Sequence, residues 1–182
     1  MLKIRISPYL QLAQDRLKCP QVSGISQVRV LLSDDHPVVR RGVRTILESN
    51  GEYDICGEAS DGDQTLELAL RLHPDVVITD ISMLPTNGLE VTQRLHTSLP
   101  GAKVLILTMH DSVEMLRAAA LAGASGYLLK SDTEELLVSA LHNLSEGRCF
   151  VSPSFENSLV KQLFSEASGE SWSAHNSPPQ TS

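Results

Sequence analysis

The sequence predicts an α/β domain, a parallel β-sheet with helices on both faces, and three observations carry that expectation. Five short apolar runs alternate strictly with segments of helical apolar spacing. Most of these runs stop abruptly at a polar residue, as buried strands do when they leave a sheet. Hydrophobic residues make up 41% of the 182-residue chain, enough for a real core with tails to spare. Short strands joined by single crossover helices pair in parallel, with the helices covering the sheet.

Taken in order, residues 1–27 carry Leu10, Leu12, Ala13 and Leu17 with no capping residue, and are expected to form a flexible extension. Val28–Ser33 reads as the first strand and runs into Asp34-Asp35. Pro37 opens a helix at its first position, where a missing N–H costs nothing. Val39, Val43, Ile46 and Leu47 give this helix an inward stripe, and Asn50-Gly51 stops it. Tyr53–Ala59 is a weaker second strand. Asp61 and Gln64 resemble a capping box for a helix carrying Leu66, Ala69 and Leu70, which His73-Pro74 ends. Residues 75–80 form the third strand, closing on Asp80, and the turn-forming residues 81–88 lead into a helix over Gly88–Ser98 with Leu89, Val91 and Leu95 apolar.

Lys103–Thr108 is the fourth strand. Asp111 and Glu114 are placed to cap an alanine-rich helix that stops at Gly123. Residues 126–130 are a fifth, short strand. Ser131 and Glu134 form a further capping box, opening a helix with Leu137, Ala140, Leu141 and Leu144 inward and Gly147 at its end. The domain therefore spans 28–147. Ser152-Pro153 starts one more helix, within 148–166, with Phe155, Leu159, Leu163 and Phe164 on one side. Residues 167–182, rich in Ser, Gly, Asn, Pro and Gln, are expected to be a disordered tail.

The net charge is −7, unevenly spread. Residues 1–27 carry +3 (Lys3, Arg5, Arg16 and Lys18 against Asp15), residues 151–182 carry −2, and the middle carries −8. An acidic domain of this kind argues against direct nucleic-acid binding, which needs a basic face. Cys19, Cys56 and Cys149 are scattered and odd in number, so no zinc spacing or disulfide framework is indicated and a reducing cytoplasm is the simplest setting. No apolar run approaches the roughly 20 residues that span a membrane. Pro8, Gln11 and Gln14 interrupt any secretory signal.

In a parallel sheet all strand C-termini lie at one edge, where open α/β sheets bind ligands. Asp34, Asp35, Asp80, Thr108 and Lys130 each sit at or just past the end of an apolar strand. Three carboxylates brought close raise one another's pKa, and a divalent cation relieves the repulsion. Mg²⁺ suits one or two carboxylates plus water and phosphate oxygens. Lys130 adds a mobile positive charge for a phosphoryl oxygen, and Thr108 a neutral hydroxyl. Each piece alone has a plainer reading: a helix cap for Asp34 or Asp35, a turn former for Asp80, a strand residue for Thr108, a solvated charge for Lys130. Jointly they describe a site for a phosphoryl group attached to a carboxylate.

The motifs Asp34-Asp35-His36-Pro37-Val38-Val39-Arg40, residues 57–62 (Gly-Glu-Ala-Ser-Asp-Gly), residues 107–111 (Leu-Thr-Met-His-Asp) and residues 122–130 closely resemble the receiver domain of two-component response regulators, in the NarL/FixJ-type (LuxR-type) branch. The resemblance covers about two-thirds of the chain. It implies a flavodoxin-like (βα)5 fold with a five-stranded parallel sheet in order 2-1-3-4-5. It implies Asp80 as the acceptor of a phosphoryl group from a sensor histidine kinase or phosphotransfer protein. It further implies Asp34, Asp35 and the Ser82 backbone carbonyl as Mg²⁺ ligands beside Asp80, Thr108 and Tyr127 as the switch pair, and Lys130 as the site's cation. It places the contact face on the fourth helix, fifth strand and fifth helix, including Met115, Leu116 and Tyr127, with a homodimer among the assemblies to be considered. Such a domain assists its own phosphorylation and is not a turnover enzyme.

Two departures stand out. Leu84 holds the place where the family usually has proline, with Pro85 next. The family's branch also carries a linker helix and then a helix-turn-helix domain of about 60 residues, an ordinary small-module size, for which the residues after 166 are too few and too polar. The expected output is therefore contact with a protein partner, the alternatives being a DNA-binding regulator represented here without its output domain, or a degenerate receiver serving as a contact module. A flavin-binding protein of the same fold is disfavoured because Asp34-Asp35 would repel a flavin phosphate. A haloacid-dehalogenase-type phosphatase is disfavoured because position 82 is Ser and not Asp, and no P-loop is present.

Overall fold

The computed structural model describes residues 27–155. The elements alternate as β1 (Val28–Ser33), α1 (Pro37–Asn50), β2 (Tyr53–Ala59), α2 (Gly62–Leu72), β3 (Val76–Thr79), α3 (Gly88–Ser98), β4 (Lys103–Thr108), α4 (Val113–Leu121), β5 (Gly126–Leu129), a 3₁₀ turn (Lys130–Asp132), α5 (Thr133–Ser145), β6 (Phe150–Val151) and a last 3₁₀ turn (Pro153–Phe155). The sheet is parallel throughout, in order β2-β1-β3-β4-β5-β6. The expected order of the first five strands holds. The expected extension over residues 1–26 and the expected tail over 167–182 lie outside the described residues.

The expected count of five strands is corrected to six. Gly126 pairs with Phe150 and Tyr127 with Val151, so the segment after α5 returns to the sheet edge. Cys149, Phe150 and Val151 are all buried there. A two-residue strand leaves no alternation in the sequence to detect it by. The expected linker helix is corrected over 148–155, which hold β6 and a 3₁₀ turn and no α-helix; residues 156–166 lie outside the described residues.

The strands read as unbroken apolar runs because both sheet faces are covered. Side chains alternate between two cores. Leu31, Val77, Val104, Ile106, Tyr127 and Leu129 face α2, α3 and α4, packing with Ala69, Val91, Leu95 and Ala119. Val30, Leu32, Ile78, Leu105, Leu107 and Leu128 face α1 and α5, packing with Val43, Leu47, Leu137 and Leu141. Leu70, one of the apolar residues α2 carries, is 49% exposed, and Leu66 and Leu68 pack against the core beside Ala69.

The helix starts follow the local chemistry with some shifts. Asp61 Oδ1 accepts from Gln64 N–H at 2.8 Å, and Gln64 Oε1 accepts in return from Ser60 N–H at 2.7 Å. At α4 the cap is Ser112, whose Oγ accepts from Met115 N–H at 3.2 Å, and not Asp111. At α5 the expected Ser131 cap is absent, because Ser131 lies inside the 3₁₀ turn that precedes the helix. Gly51 (φ 74°) and His73 (φ 48°) end α1 and α2 in the left-handed conformation.

Candidate phosphoryl-acceptor site

The sheet ladder delivers two carboxylates to one edge. Asp34 N–H donates to the Ala59 carbonyl at 3.3 Å, and Asp80 N–H to the Ser33 carbonyl at 2.9 Å, so each aspartate stands one step past its strand. Both are buried, Asp34 at 4% and Asp80 at 3% exposure. Asp80 Oδ1 accepts from Ile81 N–H at 2.7 Å and Asp34 Oδ1 from His36 N–H at 2.8 Å. Their outer oxygens converge on one cation: Lys130 Nζ lies 2.7 Å from Asp34 Oδ2 and 3.0 Å from Asp80 Oδ2. Burial works against the ammonium charge, but the two carboxylates outweigh it and hold Lys130 above the usual lysine range.

Asp35 and His36 form the exposed lip of the site, with His36 Nδ1 2.6 Å from Asp35 Oδ1 and 3.3 Å from Asp34 Oδ1. Ligand atoms of Asp34, Asp35, His36 and Asp80 all lie within 4.8 Å of one another. Asp34 Oδ2 meets the Lys130 ammonium as a 2.7 Å ion pair. A clustered set of hard carboxylate oxygens fits a small divalent cation such as Mg²⁺.

The loop between β3 and α3 is fitted closely against the site. Gly88 N–H donates to the Ile81 carbonyl at 3.1 Å, and a Cβ at Gly88 would overlap the Asp80 carbonyl oxygen. A Cβ at Gly62 would overlap the Thr86 carbonyl, while Thr86 Oγ1 donates to Asp63 at 2.6 Å, so α2 braces the loop. Met83 is buried, and Leu84, in the place of the usual proline, is 83% exposed ahead of a cis bond to Pro85. Ser82 is exposed and its Oγ meets His110 Nε2 at 2.9 Å.

His110 ties the remaining predicted residues together. Its N–H donates to Thr108 Oγ1 at 3.3 Å, and its carbonyl accepts from the Tyr127 hydroxyl at 2.7 Å. Thr108 and Tyr127 are both fully buried. Burial, with Asp111 and Asp80 nearby, pushes the Tyr127 phenol well above the usual tyrosine range. Phe155 meets the Tyr127 ring edge-on, with centroids 5.5 Å apart. Ser152 Oγ accepts from Leu129 N–H at 2.9 Å, immediately before Lys130.

Residues 30–142 match the family model described as the response regulator receiver domain. The chain belongs to the response regulator receiver family. This receiver is 33% identical over 137 residues to the transcriptional regulatory protein DegU of Brevibacillus brevis, covering 75% of this chain and 58% of that protein. It is 35% identical over 152 residues to the oxygen regulatory protein NreC of Staphylococcus carnosus, covering 83% of this chain and 70% of that protein. Among solved structures, a LuxR-family two-component response regulator from Aurantimonas sp. SI85-9A1 superposes with a TM-score of 0.68 at 34% identity, over 78% of this chain and 97% of that one. The isolated receiver domain of RcsB from Salmonella enterica serovar Typhimurium, solved with a phosphomimetic, gives 0.67 at 28% identity, over 76% of this chain and 99% of that one. The receiver is thus of the NarL/LuxR type, in a family with roles in transcription regulation.

The structure brings Asp34, Asp35, Asp80 and Lys130 together as the sequence predicted, with Thr108 and Tyr127 joined through His110. Ser82 is placed by its side chain against His110 and lies beside the acidic group in sequence. Sequence reasoning gave no role at the site to His36, His110 or Ser152. The first two sat in plain view, one residue after Asp35 and two after Thr108, but a surface histidine carries no signal of its own.

Proposed function

We propose that this receiver accepts a phosphoryl group on Asp80 from a sensor histidine kinase or phosphotransfer protein and changes conformation in response. The observation that carries the reading is the Lys130 ammonium bridging Asp34 and Asp80 at the sheet edge. Asp34, Asp35 and Asp80, with the Ser82 carbonyl by family resemblance, are the residues that would hold Mg²⁺. Bound there, the ion would neutralise charge on the transferring group. An Asp80 carboxylate oxygen attacks phosphorus, the bond from phosphorus to the donor breaks, and the donor leaves with the electron pair, giving an acyl phosphate. The Ile81 N–H fixes the carboxylate's orientation, and Lys130 exchanges a carboxylate contact for a phosphoryl oxygen. Thr108 supplies its hydroxyl to the same group, and Tyr127 follows through His110.

In this reading the chain acts once per donor as a signalling acceptor and not as a turnover enzyme, in the cytoplasm where kinases and phosphodonors are found. No helix among the described residues is long and apolar enough to cross a membrane. The relatives favour a particular output. Both proteins named above are longer than this receiver's match to them, and DegU is named as a transcriptional regulator. The RcsB protein has been solved as dimers bound to DNA. Output through a DNA-binding partner region, with pairing of receivers, is the second reading these names support.

Mass spectrometry after incubation with Mg²⁺ and acetyl phosphate tests the proposal. A single phosphate adduct that requires Mg²⁺ and is missing in Asp80→Asn is expected. An adduct that persists in Asp80→Asn, or a folded wild type that takes none, overturns it.

A further inference from the structure

Residues 150–155 make two separate contacts with β5, and each lands next to a residue of the site. Ser152, fully buried, accepts from Leu129 N–H at 2.9 Å, and its own N–H donates to the Tyr127 carbonyl at 2.9 Å. Leu129 directly precedes Lys130, whose ammonium spans Asp34 and Asp80. Phe155, 5% exposed, sets its ring edge-on to Tyr127 at 5.5 Å. The opposite end of Tyr127, its hydroxyl, is held by the His110 carbonyl at 2.7 Å. The ring is therefore held at its hydroxyl from the β4–α4 loop and packed at right angles against Phe155 from the segment that follows α5.

We propose that residues 150–155 form a strap that belongs to the switch: Phe155 holds Tyr127 in its buried position, and Ser152 fixes the backbone that aims Lys130 at Asp80. This rests on the receiver reading above. Phe155 and Ser152 are positioning residues, since neither touches the carboxylates. An edge-to-face aromatic contact adds to area burial and so biases a two-state side chain toward the position that makes it. If the phosphoryl-bound state is the one with Tyr127 inward, any group that favours the inward ring also raises affinity for the phosphoryl mimic, because the two equilibria are linked. By the same linkage, loading of Asp80 tightens the strap.

The test uses the full chain with ¹³C-labelled tyrosine, the Tyr127 signal being assigned with Tyr127→Phe. Tyrosine-ring resonances and titration with beryllofluoride plus Mg²⁺ are followed in wild type, Phe155→Ala, Phe155→Leu and Ser152→Ala. Leu137→Ala serves as a control, a core residue on the other face of the sheet. Phe155→Ala is expected to move the Tyr127 resonance and weaken beryllofluoride binding by at least about threefold, near 0.7 kcal/mol by the usual conversion. Ser152→Ala is expected to weaken binding with a smaller change at Tyr127. Phe155→Leu keeps the apolar filling and serves should the alanine variant unfold; it is expected to move the resonance in the same direction. The strap is excluded if the folded Phe155 variants leave the resonance and the affinity at wild-type values, or if Leu137→Ala weakens binding as much. A wild type that does not bind beryllofluoride defeats the receiver reading itself, and the Tyr127 resonance then still decides whether Phe155 holds the ring.

Discussion

At the scale of single residues the decisive one is Lys130, because it keeps two buried carboxylates from facing each other unscreened. Removing one member of a buried charge pair leaves the other uncompensated, at a cost of roughly 3 kcal/mol or more. Lys130→Met is therefore expected to lower the urea midpoint sharply. Mg²⁺ should restore more stability to this variant than to wild type, since Asp34 and Asp80 then depend on the added cation alone; equal gains in both would contradict the arrangement seen here. Alkaline pH gives a second check. Lys130 has a folded-state pKa above the ordinary value, so its contribution is complete below about pH 10 and is lost as pH rises through the raised value. Tyr127 acts in the same direction: burial favours the neutral phenol, the unfolded chain ionises first, and stability falls above about pH 10. Urea midpoints measured from pH 8 to 11 should decline at the top of that range, and Tyr127→Phe should flatten part of the decline.

At the scale of elements, the β3–α3 loop is defined by the glycines packed against it, Gly62 and Gly88, more than by its proline. Gly88 lies so close to the Asp80 carbonyl that an added methyl requires the backbone to move. Gly88→Ala is expected to cost about 3 kcal/mol, as overpacking of a rigid backbone contact does, and to displace Asp80 enough to impair phosphate uptake. Gly42, in α1, is exposed with open space around its Cβ position. Gly42→Ala is expected to stabilise by about 0.5–1 kcal/mol through helix propensity and a less flexible unfolded chain. Urea titration of both variants checks the contrast. Spacing made this loop legible in the sequence, because Asp80 and Gly88 keep the family's separation despite Leu84. The start of α4 was less legible: Asp111 and Ser112 are both good caps, and only the backbone path selects Ser112. The strap was illegible for another reason. Phe150 and Val151 are too few to show a period, and Phe155 fitted a helical stripe with Leu159 equally well.

At the scale of the whole molecule, the strict β–α alternation was readable because the strands inside the sheet are buried on both faces and each helix on one. The joining of Asp34, Asp35, Asp80 and Lys130 was readable too, since a parallel sheet gathers strand ends regardless of their separation in sequence. What the alternation could not show is how the sheet finishes. One margin is β2, where the register with β1 shifts so that Cys56 is the extra residue and its thiol reaches the Val30 carbonyl at 3.4 Å. A bulge on an outer strand discourages further strand pairing. The other margin is the two-residue β6. The acidic balance of the molecule gives a last expectation: a mobility-shift assay of this chain with duplex DNA at about 0.1 M salt should show no complex, because phosphate contacts need a basic surface.

The placement of β6 also bears on how the protein is made. Domains fold from the N-terminus as the ribosome releases them. The two aspartates of the site emerge early, but the lysine that neutralises them comes just after β5, and the residues that fix β5 come later still. A nascent chain paused before residue 150 would hold most of its sheet while Asp34 and Asp80 stood beside an unsecured Lys130. The release of residues 150–155 is then the step at which a partly folded sheet can fix the backbone beside Lys130.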